Sequence, residues 1–168
     1  RYGKGKTRRR KQERTLRGIK ILCVGKVKEK YFQEGIAFYV RQIRKKYPME
    51  IVECEDEPTP EGASLAEEQK IKEKEGLRLL RKIKEEDYVV ALCIDGCHFS
   101  TEKWQERLKK QTERISGSLV FVIGGSLGLS EAVEKRAEEK LSFSAMTFPH
   151  QMMRMILCEQ IARAFRDS

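Results

Sequence analysis

Two uncharged loops carry the residues of this sequence that could do chemistry. The apolar run Leu119-Val120-Phe121-Val122-Ile123 breaks into Gly124-Gly125-Ser126-Leu127-Gly128-Leu129-Ser130. After one short helix the chain resumes as Leu141-Ser142-Phe143-Ser144-Ala145-Met146-Thr147-Phe148-Pro149-His150. An apolar run ended by glycines reads as a buried strand stopping at a ligand-facing loop. The second stretch alternates Ser, Thr, Met and Phe without a charge in a chain that is 36% charged, which implies that something covers it. The glycine loop fails both phosphate tests. It lacks glycines at i, i+2 and i+5, it has no Gly-Lys-Ser/Thr, and the next basic residue is Lys135. A nucleoside without phosphates stays open, because glycines let backbone N–H and C=O groups approach an adenine edge. A plain strand-to-helix turn is the other reading. His150 follows a proline at a helix start, where capping, packing and catalysis are all possible, and no Ser-His-Asp or Cys-His arrangement can be read out. Cys93-x3-Cys97-His98 has no second ligand pair, so no metal site is expected.

The elements that must hold these loops alternate in type. Ile19–Val24 is a short β-type run stopping at Gly25. From Lys28 to Tyr47, the residues Phe32, Ile36, Tyr39, Val40, Ile43 and Tyr47 recur at helical spacing, and Pro48 ends that helix. Glu50–Cys54 is a second strand, followed by an exposed connection through Pro58-Thr59-Pro60 and Gly62. Ser64-x-x-Glu67 is a capping box that opens a helix to about Lys84, with Leu65, Ile71, Leu79, Leu80 and Ile83 inward and Lys70, Lys72, Glu73, Lys74 and Glu75 on a solvated face. Tyr88–Ile94 is apolar on both faces, as a central parallel strand should be, and ends at Asp95-Gly96. Ser100 or Thr101 caps a helix carrying Trp104, Leu108 and Ile115 that Gly117 closes. The strand from Leu119, a helix from Ser130 to about Glu138, the strand Lys140–Ser142 and an amphipathic helix from Gln151 to Phe165 complete the chain. This alternation predicts an α/β fold with a mostly parallel sheet and helices on both faces. Ligands of such sheets bind beyond the carboxyl ends of the strands. Three loops qualify: Asp95-Gly96, Gly124 to Ser130, and Phe143 to Pro149.

Composition narrows the partners. With 168 residues the chain is long enough for one domain with a real core. No apolar run approaches the roughly 20 residues that span a bilayer and no signal-peptide core is visible, so a cytoplasmic protein without a membrane partner is expected. Five cysteines, mostly inside apolar runs, suit reduced core thiols. The net charge is +9, and ten of the first twenty residues are Lys or Arg facing the single acid Glu13. A basic arm of this kind points to a polyanion, nucleic acid before membrane. An added leader without a role is the other reading.

Three segments together resemble a known family: Val122-Ile123-Gly124-Gly125-Ser126-Leu127-Gly128-Leu129, Leu141 to Gln151 with its Thr147-Phe148-Pro149-His150, and Glu159-Gln160-x-x-Arg163-Ala164-Phe165. They are similar to the ribosomal-RNA pseudouridine methyltransferases of the SPOUT superfamily. The opening Ile21 to Glu29 and the segment from Pro58 to Glu75-Gly76 are similar as well, so the resemblance runs from Ile19 to Arg166. It implies residues 19–168 as the methyltransferase domain and residues 1–18 as a flexible basic extension. It also implies a carboxyl-terminal trefoil knot, against the usual rule that connections are un-knotted. The cofactor would be S-adenosylmethionine, held by Leu92, Gly124, Phe143, Ser144, Ala145, Met146, Thr147 and Phe148. The implied reaction moves its methyl to N3 of a pseudouridine in helix 69 of 23S-type rRNA within the ribosome. Arg163 matches a family arginine near the reaction centre, where it would hold the imide oxygens or a phosphate; a solvent-facing arginine is the alternative. The family works as a homodimer. The apolar residues Met152, Met153, Ile156, Leu157, Ile161 and Phe165 of the last helix fit that, or fit burial in the chain's own core.

The family's carboxyl-terminal tail, with a Tyr and a His in the catalytic pocket, has no counterpart after Arg166-Asp167-Ser168. The sequence therefore carries a second expectation: a cofactor-binding, catalytically weak ribosome- or RNA-binding protein. A generic nucleotide-binding α/β protein is disfavoured by the failed phosphate motifs.

Overall fold

The computed structural model describes residues 15–166. Five strands form one all-parallel sheet: β1 Gly18–Val24, β2 Met49–Cys54, β3 Tyr88–His98, β4 Ser118–Ile123 and β5 Glu139–Ser142, in the order β2-β1-β4-β3-β5. The helices are α1 Lys30–Arg44, α2 Leu65–Leu80, α3 Thr101–Arg114, α4 Glu131–Arg136 and α5 His150–Phe165. The side-chain period of two divides the central strands between two cores. Ile19, Ile21 and Cys23 of β1, with Leu119, Phe121 and Ile123 of β4, pack under α1, α3 and α5. Leu22 and Val24, with Val120 and Val122, pack under α2 and α4. A strand buried on both sides has no polar face, which is why β4 reads as a continuous apolar run.

Helix starts follow the expected chemistry. Ser64, Ser100 and Ser130 each accept a hydrogen bond from the amide three residues on, at 3.2, 3.2 and 3.3 Å. At Ser64 the Glu67 carboxylate accepts a hydrogen bond from the serine hydroxyl rather than from the Ser64 amide. The Ile36, Val40 and Ile43 stripe of α1 is buried as its spacing implies.

Several expectations are corrected. Leu65 is 86% exposed, because it sits in the first turn of α2 beyond the reach of the sheet. Glu75 is not on a solvated face but 5% exposed, on the same buried stripe as Gly76 and Leu79. Gly117 does not close α3 in a left-handed turn; Ile115 caps that helix in extended conformation. Gly117 is needed for close approach, since a Cβ there would stand 2.4 Å from the Glu86 carbonyl oxygen. Nor does β3 end at Asp95-Gly96. It bulges after Leu92 and resumes, so that Leu92 and Cys97 both pair with Leu141 and His98 pairs with Ser142.

Leu16 is already buried, and Arg17 pairs with Glu86 at 3.0 Å, so the basic segment is packed from there onward. The rest of the arm, residues 1–14, lies outside the described residues, as do Asp167 and Ser168. All five cysteines are free; Cys23, Cys54 and Cys158 are buried and Cys97 is exposed. Burial pushes the Cys23 and Cys158 thiols up to about 12. Among the described residues no helix is long and apolar enough to cross a membrane.

The bulge depends on Gly96, where an added Cβ would lie 2.7 Å from the Leu141 carbonyl carbon. Gly96→Ala is expected to lower unfolding free energy by about 2 kcal/mol in urea. An unchanged urea midpoint would show that β5 does not depend on this contact.

Candidate active site at the carboxyl ends of the strands

The strand order places β4, β3 and β5 side by side, so the segments that leave their carboxyl ends meet. Between them lies a cavity of about 400 Å³ whose walls are the end of β3, the glycine loop, the uncharged loop and the first turn of α5. Of the residues expected to hold a cofactor, Leu92, Gly124, Phe143, Ser144, Met146, Thr147 and Phe148 line it. Ala145 belongs to the same loop and is exposed, but does not line the cavity. Arg163 also lies away from it, on the exposed side of α5, with Nε donating to Glu159 at 2.8 Å. Asp95 and Gly96 do not reach the wall either, whereas Cys93 and Ile94 do.

Each loop is shaped by its own backbone. Gly128 has φ 86°, its amide donates to the Gly125 carbonyl at 3.1 Å, and the loop closes on itself. A Cβ at Gly124 would stand 2.7 Å from the Gly128 carbonyl carbon, so only glycine permits this closure. In the second loop the Ser142 hydroxyl donates to the Ser144 carbonyl at 3.1 Å and the Met146 amide donates to the Ser144 hydroxyl at 3.0 Å. Ala145, Met146, Thr147 and Phe148 stay exposed, Met146 at 71%, so nothing among the described residues covers this apolar stretch.

Beside the cavity lies a polar group that sequence reading missed. Arg154 is 0% exposed. Its guanidinium donates to the Val24 carbonyl at 2.7 Å, to Glu53 Oε2 at 3.0 Å and to His150 Nδ1 at 3.2 Å, while Nε has no partner among the described residues. Glu53 Oε2 also accepts from the Val27 amide at 2.9 Å. His150 lines the cavity, and burial, then the neighbouring guanidinium, hold its pKa below the usual histidine value. The signal was available: Arg154 sits three and four residues before Leu157 and Cys158 on the buried stripe of α5. Glu75, on the far side of the glycine loop, accepts from the Glu57 amide at 3.1 Å. Its other oxygen would stand 3.3 Å from a Cβ on Gly125, and burial pushes its carboxyl up. Cys93, Asp95 and Glu134 present ligand-type atoms within 4.8 Å of one another. Lys140 pairs with Glu134 at 3.7 Å there, and burial pushes the Cys93 thiol up to about 12.

The family described as "Predicted SPOUT methyltransferase" matches residues 18–166. The chain belongs to the SPOUT methyltransferases. Its relatives include the Ribosomal RNA large subunit methyltransferase H of Streptococcus thermophilus strain CNRZ 1066, 48% identical over 147 residues, which are 88% of this chain and 92% of that protein. Those of Lactiplantibacillus plantarum and Clostridioides difficile strain 630 are each 51% identical, over 147 and 148 residues, which are 88% of this chain and 92% and 93% of theirs.

A methyltransferase must hold a methyl donor and bring a nucleophile to its methyl. The cavity offers apolar walls, backbone amides and carbonyls, the hydroxyls of Ser142, Ser144 and Thr147, and the imidazole of His150. Among the described residues no lysine or arginine lines it, which suits a ligand without phosphates and one that carries positive charge.

Two outcomes follow from the Arg154 and His150 geometry. Arg154→Met removes donors from a buried carbonyl and a carboxylate, and should cost about 2 kcal/mol or more in chemical denaturation. An unchanged midpoint would mean that the guanidinium contributes nothing net. Because folding holds His150 below its ordinary value near 6.5, the unfolded chain takes up the proton first as pH falls. Stability should therefore drop below about pH 6.5, and drop less in His150→Gln, when melting temperatures are compared at neutral and mildly acidic pH. Equal losses in the two proteins would contradict this.

Proposed function

We propose that this SPOUT methyltransferase uses S-adenosylmethionine to methylate N3 of a pseudouridine in helix 69 of large-subunit rRNA, acting on the ribosome in the cytoplasm. The observation that carries this reading is the glycine-cradled, uncharged cavity of about 400 Å³ at the ends of β3, β4 and β5, in a chain about half identical to enzymes named Ribosomal RNA large subunit methyltransferase H. Its volume is within the range of pockets that enclose small ligands.

When bound, S-adenosylmethionine supplies a methyl group on a positively charged sulfur, ready for in-line displacement. Leu92, Gly124 and Phe143 to Phe148 are the residues assigned to hold it, Ala145 through its place in the loop rather than through its wall contact. Backbone groups of the Gly124–Gly128 turn suit an adenine edge, and the hydroxyls of Ser144 and Thr147 suit its ribose or amino-acid polar groups. What remains for the chain is to orient the base and to steady the charge that develops on its imide as N3 loses a proton. Arg163 is assigned to the substrate side. It is exposed on the face of α5 that also carries Ile156 and Gln160, which line a smaller groove bounded by Trp104 and Phe143.

A trefoil knot formed by the carboxyl-terminal part belongs to the same proposal. Support comes from the path of the chain: after β5, at one edge of the sheet, it returns past β3 and β4 until Arg154 of α5 reaches Val24 of β1. A homodimer is supported by apolar side chains left exposed in the cavity wall, Ile94, Met146 and Phe148, and in the smaller groove, Phe99. Residues 19–168 are taken as the methyltransferase domain, and residues 1–18 as a basic extension adding affinity for RNA phosphates.

Ribosomes lacking this methyl, incubated with the chain and S-adenosylmethionine, should gain one methyl on the helix 69 pseudouridine by mass spectrometry. No gain with cofactor binding intact would overturn the methylation reading. Gly124→Ala should weaken S-adenosylmethionine binding at least about tenfold by calorimetry, since a methyl there would open the loop that shapes the cavity. Wild-type affinity in that variant would remove the glycine loop from the cofactor site.

A further inference from the structure

His150 opens α5 with its ring in the wall of the cavity and its Nδ1 3.2 Å from a guanidinium nitrogen of Arg154. An arginine side chain has donors and no acceptor. The nitrogen that meets it must therefore offer a lone pair, and a neutral imidazole then carries its one proton on Nε2. The guanidinium cannot turn away freely, because Val24 and Glu53 hold it on two other sides in a fully buried position. Nε2 has no hydrogen-bond partner among the described residues. The charged groups around the ring are few. Arg154 faces it from its own helix, with Glu53 behind Arg154. Asp56 approaches from the segment after β2: its Cγ and the His150 Cε1 lie 3.8 and 3.6 Å from where a Cβ on Gly25 would stand. The two loops forming the cavity wall bring no charged side chain. Protonating Nδ1 would set one donor against another and one positive charge against another, in agreement with the lowered pKa of the ring.

Resting on the methylation reading, we propose that His150 is a catalytic residue that donates its Nε2–H to a carbonyl oxygen of the target imide, and that Arg154 is the positioning residue that fixes this tautomer. Loss of the N3 proton to water spreads negative charge onto the two imide oxygens. A donor already aimed at one of them strengthens as that charge grows, so it stabilises the transition state more than the bound substrate. The same tautomer denies His150 the role of general base, since the nitrogen not held by Arg154 bears a proton where a base needs a lone pair.

The test has two readouts. Wild-type protein labelled with nitrogen-15 histidine should show, at roughly pH 6 to 8, a ring whose Nε2 is protonated and whose Nδ1 is not, in long-range proton–nitrogen spectra. In methyl transfer to ribosomes, His150→Ala should lose about 10²-fold in kcat, with a much smaller change in S-adenosylmethionine affinity by calorimetry. His150→Gln, which keeps an N–H donor, should recover part of the loss. A proton on Nδ1, an imidazolium near neutral pH, or a wild-type kcat in His150→Ala would overturn the proposal. If His150→Ala does not fold, the spectra of the wild-type chain and the Gln variant decide. A wild-type chain that transfers no methyl would count against the methylation reading alone, and the ring nitrogens would still confirm or overturn the hydrogen-bonding assignment.

Discussion

A fully buried guanidinium ties the last helix to the ends of two strands. Arg154 reaches the Val24 carbonyl at the end of β1, the Glu53 carboxylate near the end of β2 and the ring of His150 one turn earlier on its own helix. Burying a charge is costly unless hydrogen bonds and a counter-charge offset it. Here the offset comes from groups that belong to different elements, so the guanidinium finds these partners only when α5 starts where it does. That start fixes the return of the uncharged loop across the sheet, and with it one wall of the cavity.

The opposite wall depends on backbone closeness rather than charge. The Gly124 to Gly128 turn folds back so tightly that a single methyl at Gly124 would collide with it. Beyond the turn, Ser130 caps α4 and presses against Gly76 of α2, where a Cβ would lie 2.2 Å from the serine oxygen. The parallel sheet supplies the frame. With β4 buried between β1 and β3, the loops after β3, β4 and β5 emerge at one end as neighbours, the place where open α/β sheets receive ligands. A site built from loops on a rigid sheet can present backbone groups with little cost in reorganisation.

Much of this was legible in the sequence. The number and order of the elements, the serine caps and the apolar core of β4 follow from periodicity and local chemistry, because those signals act within a few residues. The two loops that line the cavity stood out by their glycines and their lack of charge. What was not legible depends on distant contacts. Glu75 looks like one more charge on a solvated helix until α2 turns that face toward the Glu57 amide. Gly96 looks like a strand terminus, although β3 bulges and continues beside β5. Gly117 has the spacing of a helix cap, but its role is set by the Glu86 carbonyl across the chain. Arg154 alone left a local trace, a charge on the buried stripe of α5, and its partners still lie 101 and 130 residues away.

The methyl donor is expected in the cavity between the glycine loop and the uncharged loop. A crystal structure of the chain with S-adenosylhomocysteine, the demethylated form of the donor, tests it most directly. The expected result is the nucleoside against the Gly124–Gly128 turn, with the loop from Phe143 to Phe148 closed over it and no basic side chain in contact. A nucleoside bound elsewhere, such as at the ends of β1 and β2, or held by lysine or arginine, would contradict it.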